Sequence, residues 1–267
     1  MTKVLKKSAK YLLAVGKYLL IAAIWIAIWQ ICANHIGEEL LFPKPLSVVK
    51  RIGELIKTAD FYKTVWESLL RIIIGMGIGT LIGISGGILT AFSKIARAFF
   101  APVIAIVKST PVASFILLLV LWVNRDRTPL VIAAMMVIPV VWTNVETGIL
   151  STDRALLEMG KAYGLKLPKR ILKIYLPSII PYFFASLRSS LGMAWKAGIA
   201  AEVLLLPTVS IGKMIFGAKL TLETVDLFAW TAVVIVLSVI IEKTTVALLR
   251  LILKRFSSDS KGGALIG

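Results

Sequence analysis

Apolar runs of membrane-crossing length recur along this chain, and no other feature limits its fold as strongly. A hydrocarbon core about 30 Å thick takes about 20 apolar residues as helix. Inside it, only helices and closed barrels satisfy every backbone donor and acceptor. The runs lie near 18–33, 72–92, 98–123, 129–145, 178–206 and 227–241. Hydrophobic residues make up 58% of the 267, against roughly 45–50% in soluble domains. The expected fold is an all-α membrane protein of six spans, one domain over 1–267.

The net charge of +17 fits a bilayer better than nucleic acid, because the basic residues gather at the ends of the apolar runs. Six spans place both termini on one side. Lys3, Lys6, Lys7, Lys10 and Lys17, then Lys94 and Arg97, then the tail with Arg250, Lys254 and Arg255 share that side with a central loop. That loop carries Arg154, Lys161, Lys166, Lys169, Arg170 and Lys173. The positive-inside rule makes this the cytoplasm, although the 34–71 segment also holds six cations. The run after Lys17 is longer than a signal-peptide core of about 7–15 residues, so it is expected to remain as a first span. Cys32 is the only cysteine and His35 the only histidine, so neither an internal disulfide nor a histidine metal cluster is available. The end of the chain, 257–267, has the composition of a disordered tail.

Punctuation divides the rest. Phe42-Pro43-Lys44-Pro45 reads as a turn. Ser47 then offers a cap for an amphipathic interfacial helix with Val48, Ile52, Leu55 and Ile56 on one face. The second run holds Gly75, Gly79 and Gly83 at four-residue spacing, with Gly86 and Gly87 beyond. Such small residues let helices approach closely, and packing within the chain is preferred to a dimer seam. Lys108-Ser109-Thr110-Pro111 breaks the third run, since Pro111 cannot continue a helix. A broken helix at that depth lines a cavity or is buried in protein; alternatively Lys108 ends a helix and snorkels to the surface. The fifth run carries Arg188, Lys196 and Glu202. Intramembrane ionisable groups are candidates for a translocation pathway; Lys108, Lys196 and Glu202, with Pro111 at the break, form the pathway set. Lys196 would either meet an anionic solute or pair with an acid on another span.

The stretch 158–177, EMGKAYGLKLPKRILKIYLP, is polar and basic between two apolar runs. Ser151, Thr152 and Asp153 are possible N-caps for a helix from Arg154 to Tyr163. Gly164 can close that helix in the left-handed conformation, and Pro168 suits the first turn of a second. Leu176-Pro177 is expected to stop the second helix, which leaves an elbow of two short helices. The spacing Glu158-x5-Gly164-x9-Ile174-x-Leu176-Pro177 resembles the EAA loop of ABC-importer permeases. Met159 and Gly160 stand where that family usually has two alanines. The resemblance runs from about residue 60 to 249. Three further stretches are similar to the nitrate, sulfonate and taurine branch of these permeases: Phe42 to Val48, Ser68-Leu69-Leu70-Arg71, and Leu187 through Ala200-Ala201-Glu202.

The resemblance implies a type I importer (MetI-like) fold with cytoplasmic coupling helices. It implies a subunit of the bacterial cytoplasmic membrane that moves a small anion inward, with a pyrimidine vitamin precursor as the alternative solute. It implies two ATP-binding cassette subunits, a second permease copy in a homodimer, and an extracytoplasmic solute-binding protein. Glu158, Met159, Gly160, Gly164, Ile174, Leu176 and Pro177 would then form the ATPase-coupling site within a loop spanning 151–177. No cofactor is expected on this chain. It lacks the GxxxxGK[ST] phosphate loop, so ATP and Mg would sit on the partner. The competing readings are an ion-coupled secondary carrier, for which no internal repeat is found, and a membrane enzyme, for which no catalytic motif is found.

Overall fold

Prolines, glycines and caps set where the helices of this chain begin and end. The computed structural model describes residues 2–262, and no strand occurs among them. The helices are α1 (Thr2–Ile36), α2 (Pro45–Leu55), α3 (Ala59–Phe92), α4 (Lys94–Ser109), α5 (Val112–Leu119) and α6 (Thr128–Leu150). They continue with α7 (Arg154–Ala162), α8 (Leu167–Arg170), a π-helical turn (Ile171–Tyr175), α9 (Leu176–Leu205), α10 (Ile211–Leu220) and α11 (Thr224–Gly262). The chain divides into two units, Met1–Tyr62 with Met214–Val233, and Lys63–Lys213 with Val234–Gly267.

Aromatic and ionic contacts tie the first unit together. Trp29 donates its indole N–H to the Pro43 carbonyl at 3.0 Å, and its ring packs near Phe42 and Phe228. Phe61 lies 5.4 Å from Trp230. Arg51 on α2 pairs with Asp226 at the start of α11. Of the expected apolar face, helix α2 buries Val48 and Leu55, Ile52 is half-buried, and Ile56, at the C-cap, is exposed. Its start differs from expectation. Pro45 occupies the first turn and Lys44 the cap position, because the fixed φ of proline is already helical. The Ser47 hydroxyl instead donates to Glu39 at 2.9 Å.

In the second unit α3 lies against α6 along the glycine ladder. A Cβ on Gly75 would stand 2.2 Å from the Leu130 carbonyl oxygen, and one on Gly79 2.6 Å from that of Ala134. A Cβ on Gly86 would enter the Trp142 ring at 2.2 Å. Gly77, off this face, has open space around its Cβ position. The ladder therefore serves packing within the chain, where a side chain would force the helices apart. Trp142 donates to Thr90 Oγ1 at 3.0 Å, which satisfies the one polar group of that large buried ring. Helix α9 packs along α6.

Among the described residues, four helices are long and apolar enough to cross a bilayer: Leu19–Ile36, Ala59–Phe92, Thr128–Leu150 and Thr224–Leu249. A fifth counts if α4 and α5, bent by 103° at the Thr110-Pro111 break, form one span. The six-span count is thus approximate. Helix α9 has the length, but Arg188, Lys196, Glu202 and its serines dilute its apolar character. Three boundaries also move. Helix α3 begins at Ala59, so the polar stretch 59–71 is continuous with the glycine-rich run. The expected outer loop after Pro207 contains α10. Helix α11 runs through Gly262, into the segment expected to be disordered; 263–267 lie outside the described residues.

Candidate coupling elbow and intramembrane charges

Asp153 opens the elbow. Its carboxylate accepts from the Ala155 N–H at 2.9 Å and caps α7. At the other end the Leu165 N–H reaches the Gly160 carbonyl at 2.9 Å, and the Gly164 N–H reaches that of Lys161 at 3.0 Å. This double closure is a Schellman turn, and it requires the residue after the cap to be left-handed. Gly164 supplies that with φ +63°, as its sequence position predicts.

The second limb differs from expectation. Leu176-Pro177 does not stop a helix; α8 passes through the π turn into α9. Pro177 has no N–H to give and its ring crowds the carbonyl four residues earlier. The local solution is a wider turn, in which the Leu176 N–H bonds Ile171 O. Ser178 Oγ supplies a donor to Ile174 O at 2.9 Å. The elbow is therefore one short capped helix hinged on a limb that continues into the membrane domain. Glu146, just past the end of the fourth apolar run, belongs to the last turns of α6.

The coupling set splits into two groups. Gly160 and Ile174 are buried against each other: a Cβ on Gly160 would lie 2.9 Å from Ile174 Cδ1. Glycine in place of the usual alanine seats α7 closer to the π turn. Glu158, Met159, Gly164 and Pro177 are exposed, and Leu176 is half-buried. Leu156, Met159 and Tyr163 form an outward apolar ridge on α7, with Tyr163 80% exposed. Phe92 of α3 stacks edge-on against Tyr175 at 5.8 Å and holds the limb from the other side.

The pathway set is scattered. Glu202 is 0% exposed. One carboxylate oxygen accepts from Arg71 Nη1 at 2.6 Å; the other accepts from Ser68 Oγ at 2.8 Å and from the Gly212 N–H at 3.3 Å. The chain reverses at Leu206, whose φ is +52°, so the start of α10 returns to this carboxylate. Glu202 thus caps α10 and joins α9 to α3, and both its charge and its lone pairs are matched. Two of the three branch-like stretches, Ser68 to Arg71 and the one ending in Ala200-Ala201-Glu202, meet here, which their separation in sequence concealed. Lys196 is exposed on α9.

Lys108 ends α4, and its ammonium lies 3.4 Å from Thr143 Oγ1. It lines a cavity of about 280 Å³ with Arg97, Phe100, Trp142, Thr143 and Glu146; neither Lys196 nor Glu202 is a wall of it. Pro111 caps α5 at the 103° bend. Arg97 pairs with Glu146 at 2.6 Å and donates to the Thr90 carbonyl, which ties the end of α3 to α6. The Arg97–Glu146 pair was not foreseen, since nothing in sequence joins residues so far apart. Among the described residues no cluster of metal-ligating side chains occurs.

A bent helix pair, a glycine-packed helix core and an exposed helical elbow define a helical membrane protein. The chain belongs to the family described as binding-protein-dependent transport system inner membrane component, whose model matches residues 79–258. It is the permease subunit of an ABC importer, a multi-pass membrane protein. It is 29% identical to SsuC of Bacillus subtilis, named as a transport permease for aliphatic sulfonates, over 88% of this chain and 84% of that one. It is 24% identical to the taurine transport system permease protein TauC of Escherichia coli, over 88% and 86%. It is 26% identical to the bicarbonate transport system permease protein CmpB of Synechococcus elongatus, over 73% of each. The fold matches an inward-facing MetNI methionine ABC transporter chain with TM-score 0.61 at 16% identity, over 72% of this chain and 95% of that one.

Proposed function

We propose that this permease imports a small anion, driven by a separate nucleotide-hydrolysing subunit that grips α7. The carrying observation is the elbow. Its inner side is locked by the Gly160–Ile174 contact and the Schellman turn, while its outer side presents Leu156, Met159 and Tyr163 beside Glu158. A capped helix transmits displacement, and an exposed apolar ridge with one carboxylate suits a cleft with a basic rim. Two ATP-binding cassette subunits, which would hold ATP and Mg, a second copy of this chain in a homodimer, and an extracytoplasmic binding protein complete the assembly. Both termini then lie in the cytoplasm, with the basic elbow on the same side.

Two observations support the anionic solute. Relatives are named for sulfonates, taurine and bicarbonate. The cavity between α4 and the end of α6 sets Arg97 and Lys108 against the single carboxylate of Glu146, so one added anion balances its charge. Lys196, exposed on α9, is the second candidate for solute contact. Uptake into proteoliposomes containing the whole complex and its binding protein tests this. ATP-dependent accumulation of labelled sulfonate, nitrate or bicarbonate is expected with ion gradients collapsed, and Lys196→Ala should lower it while assembly stays intact. Uptake that follows an ion gradient without ATP, or that takes only a neutral pyrimidine, would contradict the reading.

A further inference from the structure

Two adjoining cavities lie under the elbow, of about 370 and 270 Å³. They share Ile88, Ile171 and Ile179 as walls. The outer one is closed by Phe92, Arg170 and Tyr175, while the deeper one is lined by apolar side chains only and reaches Ile84 and Phe183. From Ile84 to Phe92 the groove follows roughly 12 Å of α3. It is therefore a slot with an apolar depth and one cationic end.

Arg170 marks that end. Its Nε is buried and has no hydrogen-bond partner among the described residues. A buried donor left unpaired is uncommon and needs a reason, more so on a guanidinium, whose fork matches phosphate oxygens. Its side-chain stem lies beneath α7, with Cγ 3.5 Å from the position a Cβ on Gly160 would take. Lys166, Lys169 and Lys173 are exposed on the same limb, which gives this mouth a positive field and matches the basic interfacial pockets that hold anionic headgroups.

We propose that this slot binds one anionic phospholipid, with its phosphate on Arg170 and an acyl chain along Ile88, Ile171 and Ile179. The lipid would fill the space between the π turn and α3 and so support the seat of α7. Binding is measured on the permease alone, so the result is independent of whether α7 docks a motor subunit.

The test is native mass spectrometry of the full-length permease in detergent, titrated with phosphatidylglycerol or with phosphatidylcholine of the same acyl chains. At least about fivefold more retained phosphatidylglycerol is expected, and excess inorganic phosphate should not displace it. Arg170→Gln should bring retention down to the phosphatidylcholine level, Arg170→Lys should restore part of it, and Lys173→Gln, which does not line the slot and only weakens the field at its mouth, should lower it much less. Ile171→Trp, at a half-exposed wall shared by both cavities, should reduce both lipids; it keeps the test decisive should the Arg170 variant fail to fold. Equal retention of the two lipids would overturn the proposal. So would equal losses in Arg170→Gln and Lys173→Gln, or full retention in Ile171→Trp.

Discussion

Glu202 shows how a buried charge is held in an apolar helix. Its carboxylate meets Arg71, Ser68 and the Gly212 N–H in the first turn of α10, and removing one partner leaves the other charge buried and unmatched. Arg71→Met or Glu202→Leu alone should each cost about 3–5 kcal/mol. The double variant should recover part of that loss, as read from denaturant unfolding in detergent; strictly additive losses would contradict the pairing. Asp126 acts at the surface, in the turn before α6. Its carboxylate accepts from the Thr208 N–H at 2.6 Å and from the Thr208 hydroxyl, which holds its pKa below the usual carboxylate range. A depressed carboxylate stabilises the fold above its unfolded pKa, and that contribution is lost as pH falls through the lower folded value. Asp126→Asn should therefore lower the exchange protection of the Thr208 amide at pH 7. The two proteins should converge in strong acid, where the wild-type carboxylate is also neutral.

Among the helices, α3 against α6 offers a paired comparison. Gly79→Ala puts a methyl 2.6 Å from a backbone carbonyl that cannot step aside, and should cost about 1–3 kcal/mol. Gly77→Ala faces open space and should be neutral or stabilising by up to about 1 kcal/mol. Melting temperatures of the two variants check both predictions. The spacing of Gly75, Gly79 and Gly83 made this interface legible in the sequence, as Pro111 made the bend and Gly164 the end of α7. The partner across each interface was not legible. Helical periodicity reports which face is special, whereas Arg71 and Glu202, or Arg97 and Glu146, meet only through the tertiary fold. The π turn was missed for a different reason. Proline signals that an ordinary helix must change, but the neighbouring hydroxyl and the onward path of α9 decide whether it stops or widens.

For the whole molecule, family membership fixes the class, and the open question is how movement reaches the membrane helices. The central claim is that α7 is the handle. The most direct measurement is co-purification of the tagged permease with its nucleotide-hydrolysing partner, comparing wild type with Glu158→Lys. Glu158 is exposed and makes no ion pair among the described residues, so the reversal should leave the permease folded. The account predicts at least about tenfold weaker association, equivalent to about 1.4 kcal/mol, with an unchanged melting temperature. Stoichiometric association of the Glu158→Lys protein would contradict it.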